Sequence, residues 1–182
     1  AAAAPTVTTT IPAGQGSYGV AVSPDGTTAY VTNVGGGTVS VINTSTNAVT
    51  ATIPVGGGPI GVTISPSGTT AYVTNNHGNS VSVIDIAAGT VTSTIPVGAG
   101  PYWPAFAPDG SQAWIPNLYD ATVSVIKPDE PPAITSAAPP TGTVGTAYSS
   151  TVTASARPPP TFSITAGSLP PGGCNTAGST CN

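Results

Sequence analysis

A single 42-residue step governs the chain from residue 6 to residue 126. Ser23-Pro24-Asp25-Gly26 returns as Ser65-Pro66-Ser67-Gly68 and again as Ala107-Pro108-Asp109-Gly110. Ala29-Tyr30-Val31-Thr32-Asn33 returns as Ala71-Tyr72-Val73-Thr74-Asn75, then as Ala113-Trp114-Ile115-Pro116-Asn117. Val39-Ser40-Val41-Ile42 repeats at 81–84 and 123–126, and Ile11-Pro12 at 53–54 and 95–96. Four anchors held in one register mean that the chain builds one supersecondary unit several times over. Such units bury apolar surface against their neighbours rather than inside themselves.

Each unit holds four short runs rich in Val, Ile, Thr and Tyr, at about 18–23, 28–33, 38–42 and 48–53 in the first. Composition of this kind suits strands. Pro-Asp-Gly and the polar stretch at 43–47 supply turns between them. No segment has a capped helical period. Four strands in ~40–45 residues is the size of a propeller blade. The motifs also resemble the YVTN-type β-propeller repeat, which occurs in surface-layer-like and other exported bacterial and archaeal proteins. The expected fold is therefore all-β: three four-stranded blades over 1–127, with units at 17–54, 59–96 and 101–127. Pro116 replaces a ladder residue in the third unit, where an interrupted or bulged strand is expected.

A Pro-rich linker at 128–132 follows. Beyond it, residues 133–182, with Leu169-Pro170-Pro171-Gly172 near their end, resemble the front half of a bacterial Ig-like repeat. Fifty residues are too few for the ~100-residue sandwich, so a partial module is expected. Cys174 and Cys181 are the two cysteines, and an exported chain would pair them. Ala1-Ala2-Ala3-Ala4-Pro5 resembles the small-residue region at a signal-peptidase site; an arbitrary fragment is the alternative.

Charged residues make up 4% of the chain, against about 25% in average proteins. With Lys127 and Arg157 its only basic side chains, it has no phosphate track, and nucleic-acid binding is excluded. No apolar run is long enough for a membrane span. Two cysteines and the single His77 make no metal set, and no cofactor is implied. Gly14-Gln-Gly16-Ser-Tyr-Gly19 has the spacing of a dinucleotide loop, yet a strand follows where a helix is needed; close backbone approach near the blade axis explains the glycines better. No nucleophile elbow is present, and no catalytic residue is assigned.

By family analogy, ligands bind the blade end that carries the strand-four-to-strand-one and strand-two-to-strand-three loops. The candidates there are Tyr18, Asn75, His77, Tyr102, Trp103, Tyr119 and Asp120. Tyr102 and Trp103, between two prolines, offer rigid aromatic surface for a sugar or a partner. Tyr30, Tyr72 and Trp114 are in register and read as packing between blades. Asp25 and Asp109 read as turn formers.

The resemblance implies a secreted or cell-surface, non-enzymatic binding or assembly module. A propeller enzyme (a lyase or an oxidoreductase subunit) and a carbohydrate-binding module are the alternatives, and a glycan or a surface protein is a possible partner. Thr6-Val7-Thr8-Thr9-Thr10-Ile11-Pro12 aligns with the fourth strands at 49–54 and 91–96, so it is a fourth strand with no blade of its own. The third unit lacks its fourth strand. The two defects are complementary, and self-association by exchange of residues 6–11 is expected, as a ring or a filament.

Overall fold

The computed structural model describes residues 4–128 and one short strand pair, Ala133–Ile134 with Ala154–Ser155. All regular secondary structure among these residues is β-strand. The first sheet contains β1 (Ser17–Val22), β2 (Thr28–Asn33), β3 (Thr38–Asn43) and β4 (Ala48–Pro54), antiparallel and in chain order. The second repeats it with β5 (Pro59–Ile64), β6 (Thr70–Asn75), β7 (Ser80–Asp85) and β8 (Thr90–Pro96). The third holds β9 (Ala105–Phe106), β10 (Ala113–Asn117) and β11 (Thr122–Ile126). The remaining pair, β12 (Ala133–Ile134) and β13 (Ala154–Ser155), belongs to a second unit that begins at Asp129. The expected Ig-like module and the Cys174–Cys181 pairing otherwise lie outside the described residues.

The 42-residue step carries through to register. Tyr30 faces Val41 as Tyr72 faces Val83, and the ladder shifts between Val41 and Ile42 as it does between Val83 and Ile84. At each tight turn the Ser or Ala carbonyl accepts from the Gly amide three residues on: Ser23 from Gly26, Ser65 from Gly68 and Ala107 from Gly110.

Apolar residues are buried between sheets. Tyr30, Val39 and Ile53 of the first blade pack on Val62, Ala71, Val73 and Ile84 of the second. Tyr72 and Val81 then pack on Ala113, Ile115 and Ile126 of the third, and the Tyr72 ring lies 4.8 Å from that of Phe106. Each fully buried Val or Ile contributes about 1.5–3 kcal/mol, so these seams hold the arc together.

Three expectations differ from what the single chain shows. Pro116 neither breaks nor bulges its strand, since β10 pairs with β11 without a shift and Pro116 faces Val123. Its effect falls on the other side, where β9 is cut to two residues while β1 and β5 have six; Pro has no N–H for that ladder. Within one chain Trp114 is not packed between blades, because it is 46% exposed while Tyr30 and Tyr72 are each 3% exposed. No described blade covers it. Residues 6–11 form no strand, and residues 6–10 are exposed.

Candidate functional site

Ser17 pairs with Asn33 and Pro59 with Asn75, so the loops entering each blade and the loops leaving its second strand share one end. Backbone bonds join them in every blade. Val34, Asn76 and Leu118 donate to the carbonyls of Gly16, Gly58 and Gly100, while Gly35, His77 and Tyr119 donate to Gln15, Gly57 and Ala99. His77 and Tyr119 therefore occupy one repeat position. A methyl group on Gly58 would meet the His77 ring at 2.6 Å, and one on Gly100 would meet Tyr119 at 2.4 Å. Both side chains lie over glycine backbone and are exposed.

Asn75 is fully buried and occupied within the blade. Its Nδ2 donates to Ser80 Oγ at 3.0 Å and to Ser82 Oγ at 2.9 Å, and its Oδ1 accepts from the Gly56 amide at 3.1 Å. Asn33 and Asn117 donate to the equivalent hydroxyls. The signal was in the sequence, as a Ser or Thr five and seven residues after each of these asparagines. Asp120 is exposed and accepts from the Ala99 amide, which pins the entry loop of the third blade.

Tyr18, Tyr102 and Trp103 come together. The Tyr18 ring stacks on Trp103 at 5.9 Å and 30°, and Tyr102 meets Trp103 edge-on at 5.8 Å and 89°. The Tyr18 and Tyr102 hydroxyls are hydrogen-bonded at 2.8 Å. That bond, ahead of desolvation and nearby tyrosines, holds the Tyr102 hydroxyl above the usual tyrosine range. The cluster thus joins the first blade to the third. Asn75 and Asp120 lie outside its contacts, and His77 lies over the second blade's own loop.

The end of a repeated four-stranded arc, faced with loops and aromatic side chains, defines a β-propeller with a candidate binding surface. Residues 1–108 match the YNCE-like beta-propeller model, and the chain belongs to that family. Comparison with proteins of curated function finds no match. Among solved structures, it is similar to hydrazine synthase of Kuenenia stuttgartiensis, at 27% identity and a TM-score of 0.61 over 69% of this chain and 36% of that one. A β-propeller domain from Myceliophteria thermophila matches at 20% identity and a TM-score of 0.60, over 69% and 39%. A functionally unknown protein from Desulfotomaculum acetoxidans matches at 21% and 0.52, over 62% and 41%. The chain therefore spans well under half the length of these neighbours, and the last two show the fold alone.

Among the described residues, no three His, Cys, Asp or Glu side chains gather as a metal site requires. No described helix is long and apolar enough to cross a membrane.

Proposed function

We propose that the chain is a non-enzymatic assembly and binding module, working outside the cell and completed by a second copy of itself. One observation carries the reading: apart from the inner-strand positions of Trp103 and Pro116, the two outer faces of the arc carry the apolar positions of the two halves of the seam that it already contains twice. Trp114, Val123 and Val125 are 46%, 55% and 45% exposed, whereas their counterparts Tyr72 and Val81 are 3% and 0% exposed and Val83 is half-buried. On the opposite face Val20 is 62% exposed, while its counterpart Val62 is 6% exposed.

The strand edges match too. Val39 pairs with Ile53, Val41 with Ala51 and Ile42 with Val49. Carried along the repeat, that register sets Ile11 of one copy against Val123 of the other, Thr9 against Val125 and Val7 against Ile126. Two three-blade arcs joined reciprocally fall within the ~4–8 blades of closed propellers. Export is supported by the resemblance to surface proteins and by the low charge.

Light scattering coupled to size exclusion of the full chain tests this. The expected mass is twice the 17.5 kDa of one chain. Thr9→Pro, which removes one ladder donor, should return it to a single chain. A monomeric wild type overturns the reading.

A second reading, a propeller within an enzyme assembly, draws on the 27% identity to hydrazine synthase. Its test is turnover by the whole protein, lost on substitution of His77 or Asp120.

A further inference from the structure

We infer that Tyr18, Tyr102 and Trp103 form a binding site for a neutral sugar ring. The inference goes beyond self-assembly, because one chain holds all three residues. In a repeat protein the informative positions are those that leave the repeat. Trp103 stands where both earlier units have glycine, Gly19 and Gly61, while Tyr102 keeps the tyrosine of the first unit, Tyr18, at a position where the second has Ile60.

The glycines have a structural task that Trp103 cannot perform. A methyl group on Gly19 would meet the Ile60 carbonyl at 2.4 Å, and one on Gly61 would meet the Tyr102 carbonyl at 2.8 Å. Glycine there lets the next blade's first strand close in. The third unit gives up that approach, and with Pro116 it also loses the hydroxyl that Thr32 and Thr74 place beside it. It gains a large aromatic that is 47% exposed, next to Tyr18 at 53%.

The platform is held in place before any ligand arrives. Pro101 is fully buried, bridges to Asn117 and accepts a bond from Asn76 Nδ2 at 3.2 Å; Pro104 is buried on the other side. Tyr102 is fixed by its own amide, which donates to Pro116, and by its hydroxyl. Little ordering entropy remains to be lost on binding.

The chemistry selects the ligand. The indole offers an apolar surface for the C–H face of a pyranose, and the paired Tyr18 and Tyr102 hydroxyls can both donate to and accept from sugar hydroxyls. The contacts that build the cluster include no charged side chain. Lys127, the one described Lys or Arg, follows β11 at the opposite end of the blade. An anionic ligand would find no partner here, whereas a neutral glycan needs none.

The test uses the full chain carrying Trp114→Phe, which leaves Trp103 as the sole tryptophan. Its emission is followed while cellohexaose, chitohexaose and mannohexaose are added in turn, each up to about 10 mM, where even weak sites fill. Calorimetry repeats the titrations on wild type, Trp103→Gly and Tyr18→Phe. Trp103→Gly restores the residue of the other repeats, so a retained cooperative melt is expected to accompany lost binding. We expect saturable binding of at least one oligosaccharide, weakened more than tenfold by Trp103→Gly and about fivefold by Tyr18→Phe. Absence of saturation with all three sugars overturns the proposal, as does binding unchanged in Trp103→Gly. If a proline-rich peptide saturates the emission change and the sugars do not, the sugar assignment is also overturned. A monomeric mass with intact sugar binding would sink the assembly reading alone.

Discussion

Thr32 Oγ1 donates to the Ile60 carbonyl at 2.7 Å and accepts from the Gly19 amide at 2.8 Å, so one hydroxyl fastens two strands of the first blade to the next blade. Thr32 is fully buried, and loss of its hydroxyl would leave a buried donor and a carbonyl without that partner. Thr32→Val should therefore cost about 1–3 kcal/mol, read as a lower melting temperature. Gly19→Ala should cost more, because its methyl would sit 2.4 Å from the same carbonyl and force the blades apart. Equal or smaller loss in Gly19→Ala would contradict the close-approach account.

The buried asparagines should not be equivalent. Asn75 makes three hydrogen bonds, whereas the Oδ1 of Asn117 is buried without a partner among the described residues. Alanine at position 75 is expected to destabilise by about 2–4 kcal/mol, and at position 117 by roughly half as much. Chemical denaturation of the two variants side by side measures the difference.

Ala121 has φ of 51°, in the left-handed region, where the other repeats place Gly37 at 64° and Asn79 at 47°. An alanine there carries about 1–2 kcal/mol of backbone strain. Ala121→Gly should relieve most of it and recover roughly 0.5–1 kcal/mol after the entropy of glycine is counted. A variant less stable than wild type would show that the loop does not hold this conformation in solution.

Two turn carboxylates give the fold an acid limb. The Ser23 hydroxyl, followed by the Thr27 amide and hydroxyl, holds Asp25 below the usual aspartate range. The amide of Ser111, then its hydroxyl, does the same for Asp109. A depressed folded value stabilises the fold above the ordinary aspartate range, and the contribution is lost as pH falls through the lower folded values. Both groups are exposed, so the effect is small. The Asp25→Asn, Asp109→Asn double variant should melt at a temperature that depends less on pH below about 4 than wild type does.

Blade positions were legible because strand runs, turns and the 42-residue step all agreed, and equivalence at that step is a local property. The meeting of Tyr18 with Trp103 was not legible in that way. The two residues are not equivalent, and their contact depends on how sharply three sheets curve around their inner strands. What could have been read is that residue 103 breaks a glycine position. Asn75 looked like a loop residue until its hydroxyl partners at 80 and 82 were seen to fold back onto it. Trp114 holds the packing position of Tyr72 yet is exposed in one chain, because register shows which residues correspond, while burial depends on whether a further blade covers them.

The clasp from Thr32 to Ile60 has a genealogical consequence. Its donor and acceptor lie in consecutive units, and the core likewise forms between adjoining sheets. Removing or inserting 42 residues at any equivalent cut would rejoin a trailing face to a leading face in the same register. Unequal recombination could therefore lengthen or shorten this gene without damage at the junction, and only changes such as Trp103 and Pro116, which depart from the common unit, would mark where the growing array stopped being interchangeable.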